Sequence, residues 1–289
     1  MKKAFSIAVS LVFAAAGITG CGATNLSGGV TPADSAVLSG TVKTGGSTSV
    51  EKVMTALIYQ YQDENSEVSV NYEMNGSGDG IKNTISGLYE IGHSSRELKT
   101  DGTEDGLDAV AYAIDGIALV VNKANAVNGL TTEQVRDIYI GKIENWSEVG
   151  GEDALITVVT REASSGTRSA FAEIVGLEKA DDPETSIVPN ATTCDSTGAI
   201  QTAVTQNANA IGYMSFSDAD EANIKILAYN GIECSEASLK DGGYTLKREF
   251  YLITKTGATL SPAAQSFVDF VLSAEGQEIV AANKLLPID

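Results

Sequence analysis

Three stretches of the chain place hydroxyls and glycines where a strand-like segment hands over to a helical one. Thr44-Gly45-Gly46-Ser47-Thr48-Ser49 follows the β-like residues 37–42. It precedes Val53, Met54, Leu57, Ile58 and Tyr61, which fall at helical spacing. Asn75-Gly76-Ser77-Gly78-Asp79-Gly80 follows the alternating run Val68–Tyr72 and leads into Ile81, Ile85 and Leu88. Arg161-Glu162-Ala163-Ser164-Ser165-Gly166-Thr167-Arg168 follows Ile156–Val159 and leads into Phe171, Ile174 and Val175. The first N–H groups of a helix have no partner within the helix and carry partial positive charge. Glycine lets a ligand approach the backbone, and Ser or Thr adds an O–H donor. Such a turn binds an anion without a net positive protein. Any one unit also reads as ordinary helix capping. The same order in three places points to a shared anion site. None of the three has the lysine of an NTPase phosphate loop or the glycine spacing of a dinucleotide fold, so nucleotide binding is not supported.

A fourth segment, Glu90-Ile91-Gly92-His93-Ser94-Ser95-Arg96, packs two hydroxyls and an arginine into what reads as a turn, with His93 as a turn residue. Arg96 and Arg161 are the candidate guanidiniums, since a planar fork of N–H donors suits an oxyanion. The competing reading for each is a surface ion pair. Elsewhere the pattern predicts strands at Ala109–Asn122 and Ala210–Met214. It predicts a capped helix over Thr132–Ile140, a packed Trp146 and one long helix over Phe267–Ala281. Alternation of strand and helix makes this an α/β protein, and 289 residues suit about two domains.

The chain carries 19 Lys and Arg against 38 Asp and Glu, a net charge of −19. That balance excludes a nucleic-acid partner, which needs a basic face. Residues 1–20 read as a secretory signal. Lys2 and Lys3 precede an apolar run, Phe5–Ala16, too short to span a bilayer, and small residues lead to Cys21. Residues 21–36 have the composition of a flexible tether. Cys194 and Cys234 remain, and export permits either a disulfide or two separate thiols. One histidine in the chain speaks against a histidine-based metal site, and no cofactor motif is present.

The segments GGSTSVEKVM, NGSGDGI, IGHSSREL, DGIALVVN, REASSGTRSAF, AIGYMSFS and FVDFVLSAEGQEIV occur in one order. Together they resemble the phosphate-binding lipoproteins of bacterial ABC transporters, the Pst type, over residues 38–289. Ile18-Thr19-Gly20-Cys21 resembles a lipobox, which implies cleavage before Cys21 and a lipid anchor on its thiol. The resemblance implies a two-lobe type II periplasmic-binding-protein fold with two interlobe crossovers. Lobe I would take residues 37–114 and 248–289, and lobe II residues 115–247. By position it implies ligand loops at Ser47, Thr48 and Ser49, at Ser77, at Ser95, and at Arg161, Ser165, Gly166 and Thr167. Some members hold, at the position of Ser95, an aspartate that accepts the proton of hydrogen phosphate. This chain has serine there, which makes Asp115 in Asp-Gly-Ile-Ala the candidate acceptor, or else a hinge residue.

The function so implied is an extracytoplasmic, lipid-anchored receptor for inorganic phosphate that delivers it to ABC permease subunits, without catalysis. A receptor for sulfate, molybdate or tungstate is the nearest alternative, because a missing carboxylate removes the group that rejects an unprotonated anion. An exported phosphatase is a further one. It is disfavoured by the lack of a Gly-x-Ser-x-Gly elbow and by a single histidine.

Overall fold

A computed structural model describes residues 37–179 and 182–288. The expected signal, tether and Cys21 lie outside the described residues. Among the described residues, thirteen strands and eight α-helices follow in chain order. They are β1 (Gly40–Gly46), α1 (Glu51–Glu64), β2 (Val68–Met74), α2 (Ser77–Ser86), β3 (Ile91–Ser94), β4 (Leu107–Asn122), β5 (Gly129–Leu130) and α3 (Thr132–Tyr139). Next come β6 (Thr157–Arg161), α4 (Gly166–Val175), β7 (Glu178–Lys179), β8 (Asp182–Thr185), β9 (Thr192–Cys194), α5 (Thr197–Gln206) and β10 (Ala210–Ser215). The chain ends with β11 (Ile224–Tyr229), α6 (Glu236–Lys240), β12 (Lys247–Lys255), α7 (Pro262–Leu272), α8 (Ala274–Ala282) and β13 (Leu286–Pro287).

One hydrogen-bonded path of strands, β2-β1-β3-β12-β4-β10-β6-β9, runs through both lobes of this mixed α/β fold. β4 makes the continuity. Its first part, to Gly116, pairs antiparallel with β12, and Ile117–Val121 pairs antiparallel with β10. Its apolar run Ile117–Val121 is wholly buried, as expected of a strand covered on both faces. The apolar residues separate into two main cores. One gathers Val42, Met54, Leu57, Tyr61, Tyr112, Phe250, Phe267 and their neighbours. The other gathers Ile117–Val121, Trp146, Phe171, Ile211, Tyr213, Leu246 and theirs. β4 and the segment entering β12 pass between them, and at the end of the described chain Leu285 packs in the first core and Leu286 against the second.

Local chemistry sets most boundaries. Thr131 and Gln134 form a reciprocal capping box at the start of α3, and Ser261 with Pro262 opens α7. The predicted long C-terminal helix is in fact two. The Ser273 hydroxyl accepts from the Gly276 N–H and caps α8, so the backbone breaks between Leu272 and Ala274. Trp146 is 1% exposed in the second core, and its indole N–H donates to the Asn209 carbonyl. Residues 91–94 are a strand rather than a turn, paired with β1 and β12. Cys194 and Cys234 are both free and buried, so the two-thiol alternative holds. Among the described residues no helix is long and apolar enough to cross a membrane.

Candidate anion site

Strands β1, β2 and β3 run parallel in the first lobe, and β6 and β9 run parallel in the second. Their carboxyl ends are where sequence and geometry meet. β1 ends at Gly46, ahead of Ser47, a 3-10 turn over Thr48–Val50, and α1. β2 leads to Ser77, the first residue of α2. β3 ends next to Ser95, and β6 ends at Arg161, ahead of the Ser165 cap of α4. β9 leads to Thr197, the first residue of α5. In open α/β sheets this edge is where ligands bind.

The structure brings these positions into one buried cluster of hydroxyls. The Ser47 hydroxyl donates to Ser95 Oγ at 2.8 Å, and Ser95 and Ser77 Oγ lie 3.3 Å apart. Ser49 Oγ lies 2.7 Å from Thr167 Oγ1 and 2.9 Å from Thr197 Oγ1, bridging the lobes. Thr48 Oγ1 accepts from Arg161 Nη2 at 3.0 Å and from the Thr197 N–H at 3.3 Å. Arg161 Nη1 donates to Thr197 Oγ1 at 3.3 Å. The rest of the guanidinium is held by Glu162, through Nε at 2.8 Å and Nη2 at 2.7 Å. Ser165 Oγ accepts from the Arg168 N–H and so caps α4. The backbones close in as well, with the Gly78 N–H donating to the Ser164 carbonyl at 2.9 Å.

Two glycines are required here for different reasons. Gly46 adopts φ +143°, and a Cβ on it would run into the His93 carbonyl. Gly166 has no unusual dihedral, but a Cβ on it would run into the hydroxyls of Ser77 and Ser95. It is one of the points where the second lobe touches the first.

Each hydroxyl can both donate and accept. The cluster therefore satisfies itself, and the same groups, rotated inward, offer converging O–H donors beside a guanidinium and four helix starts. That is the equipment for a tetrahedral oxyanion. It holds no lysine, and its one ion pair, Arg161–Glu162, is locally neutral.

Two sequence candidates lie elsewhere. Arg96 is one: its Nη1 and Nη2 hold Glu104 at 2.9 and 2.5 Å, and Nη1 donates to the Glu97 carbonyl. It lines a cavity of about 310 Å³ beside the crossovers, with Ile114, Ile174, Arg248 and Tyr251. The guanidinium next to Ser95 in sequence is thus spent on a carboxylate and a carbonyl, and none of its bonds is to a cluster hydroxyl. Asp115 is the second. It is fully buried, yet Oδ2 accepts from Arg248 at 2.9 Å and Oδ1 from the Ser217 N–H at 3.3 Å. Those bonds make it a crossover residue, the hinge alternative. Burial pushes its carboxyl up to about 6, with the Arg248 charge opposing. His93 is in the core beneath Ser47, with Nε2 2.6 Å from Thr44 Oγ1, and burial drops its pKa to about 3. Thr197 escaped the sequence reading, although Cys194-Asp195-Ser196-Thr197-Gly198 repeats the strand–hydroxyl–glycine–helix order.

Comparison with known proteins agrees with this architecture. The family described as PBP superfamily domain matches residues 31–275. The phosphate-binding protein PstS of Borreliella burgdorferi is 29% identical over 252 residues, covering 86% of this chain and 90% of its own. The PstS of Bacillus subtilis is 28% identical over 251 residues, covering 85% and 80%. A Clostridium perfringens ABC transporter substrate-binding protein, solved with bound phosphate, is 42% identical with a TM-score of 0.81. The match covers 86% of this chain and all of that one. An ABC-type phosphate transport receptor from Vibrio cholerae is 32% identical with a TM-score of 0.72, over 86% and 100%. With the fold, the strand-end hydroxyl cluster and these likenesses together, the chain belongs to the PBP superfamily, among the Pst-type phosphate-binding substrate-binding proteins.

Proposed function

We propose that this protein is the receptor of a phosphate ABC transporter: it binds inorganic phosphate between its lobes and hands it to the permease subunits. One observation carries the reading. Five strand ends from two lobes converge seven hydroxyls (Ser47, Thr48, Ser49, Ser77, Ser95, Thr167 and Thr197) and Arg161 in one buried cluster. Phosphate takes the place of the interlobe hydroxyl contacts. It accepts from the rotated O–H groups, from Arg161 and from the N–H groups at the starts of α1, α2, α4 and α5. The lobes, residues 37–114 with 248–289 and residues 115–247, close about the crossovers and exclude water, which strengthens each bond. The hydroxyls of Ser47, Ser77 and Ser95 can accept as well as donate, so one of them accepts the hydrogen bond donated by the P–OH of hydrogen phosphate.

The reading is binding without turnover. His93 Nε2 is engaged by Thr44, and Ser165 Oγ accepts the N–H of Arg168, so neither forms a nucleophile–base pair. The chain acts on the extracytoplasmic face of the membrane, tethered through a lipid on Cys21. Calorimetric titration with phosphate and with sulfate tests the proposal. Phosphate should bind the tighter, and equal or tighter sulfate binding contradicts it. Release of Cys21-linked lipid on mass spectrometry of the membrane-extracted protein tests the anchor, and an unmodified Cys21 removes it.

A further inference from the structure

We propose that Lys52 is a closing latch: it holds the α1 start of the first lobe onto the second lobe and thereby sets how long the bound anion stays. The inference rests on the phosphate-receptor reading above and adds a positioning residue that does not touch the ligand. Lys52 is the second residue of α1, directly after the turn that carries Thr48 and Ser49. Its ammonium donates to the Ser217 carbonyl of the second lobe at 2.7 Å. The same helix start is thus joined to the second lobe twice, by hydroxyls and by this ammonium.

The two attachments differ in what ligand binding does to them. Thr48 and Ser49 spend their hydroxyls on Arg161, Thr167 and Thr197, and a hydroxyl that turns to an anion gives up that partner. The ammonium-to-carbonyl bond involves no ligand-facing group and survives binding intact. Its acceptor is also firmly placed. The Ser217 N–H donates to Asp115 Oδ1, and Ser217 Oγ lies 2.7 Å from Ser215 Oγ. Asp115 and Arg248 are paired in register on β4 and β12, the strands at the crossovers. Lys52 therefore grips a carbonyl anchored to the hinge, not a loose loop. Glu51 and Asp218 lie near enough for their charges to act in this group, and the Lys52 charge opposes the rise that burial imposes on Asp218. The rest of the lysine is exposed, so its ammonium is free to return to water when the lobes part.

The test uses the full chain, wild type, Lys52→Met and Lys52→Arg. Methionine keeps the stem and loses the donor, whereas a guanidinium can still donate to a carbonyl. Stopped-flow and calorimetry with inorganic phosphate should show K52M binding about tenfold more weakly, through faster release, with K52R within about threefold of wild type. Small-angle scattering without ligand should show K52M more expanded than wild type. Unchanged release together with unchanged scattering overturns the latch. So does a loss confined to the association rate and abolished by salt, which would make Lys52 a steering charge. Failure of the wild type to bind phosphate would refute the receptor reading instead, and the ligand-free scattering comparison would still decide the latch.

Discussion

Two arginines are buried in this molecule, each beside an acid, and they do different things. Arg161 is 1% exposed, and all three of its nitrogens donate: to Glu162, to Thr48 and to Thr197. Arg248 is at the crossovers with Nη2 on Asp115, while Nε and Nη1 have no hydrogen-bond partner among the described residues and the guanidinium lies 5.2 Å from the Phe250 ring centroid. Glu162 keeps 23% of its side chain exposed, and Asp115 keeps none. The neighbours of Arg161 are neutral hydroxyls that rotate, so they can be re-aimed at an anion at little cost. The neighbours of Arg248 are a fixed, dry carboxylate and an aromatic face, so its charge is committed to the fold. A buried guanidinium makes a ligand site where its surroundings are adjustable dipoles. Global charge has little to say about it, which is how a chain of net charge −19 can hold an anion.

The contrast can be broken at either end. Arg248→Met strands Asp115 in the interior and should cost roughly 3–5 kcal/mol of stability, the scale for breaking a buried pair from one side. Urea unfolding measures it, and a loss under about 1 kcal/mol would deny Arg248 its structural role. Arg161→Ala should leave folding largely intact and weaken phosphate binding by about 2–5 kcal/mol. Calorimetry decides, and wild-type affinity removes Arg161 from the site.

The pH dependence of stability sharpens the comparison, because two buried groups pull in opposite directions. Asp115 has a folded pKa of about 6, above its unfolded value, so the folded state binds that proton more tightly. Its contribution is largest below about 4 and is lost as pH rises toward 6. His93 has a folded pKa of about 3, below its unfolded value. Its contribution is present above about 6.5 and is lost as pH falls toward 3. Each slope can reach about 1.4 kcal/mol per pH unit. Denaturant titrations between pH 4 and 7 should show D115N weakening the first slope, the rest of which belongs to Asp218, whose carboxyl burial raises to about 8, and H93Q losing the second. D115N should also leave the phosphate-to-sulfate ratio unchanged, since neither Asp115 oxygen bonds to the hydroxyl cluster. A smaller effect is expected at Thr197→Val, which deletes a hydroxyl shared by Arg161, Thr48 and Ser49. Phosphate affinity should fall by about 1 kcal/mol, with unchanged affinity making that hydroxyl a spectator.

Much of this was legible from the residues. Helix starts after glycine and hydroxyl turns declare themselves locally, so the clusters at Ser47–Ser49, Ser77 and Ser165–Thr167 could be read without coordinates. Arg161 could be read as well, because it ends a strand and leads such a turn. Arg96 could not be told from it by type or setting. Its partner is Glu104, eight residues away, and no local signal announces that pairing. Asp115 had two open readings, and the choice between them needed Arg248, 133 residues distant. Thr197 carried the right signal, but its strand β9 is only three residues long and weakly patterned. His93 looked like a turn because glycine and serines surround it, whereas a parallel pairing with β1 and an antiparallel one with β12 make it a strand.

The most direct test is a crystal structure of the protein grown with inorganic phosphate. The account predicts one anion between the lobes, within hydrogen-bond distance of Arg161 and of hydroxyls from both the Ser47–Ser49 turn and the Thr167–Thr197 side. An anion bound elsewhere, with the hydroxyl cluster still closed on itself, would contradict it.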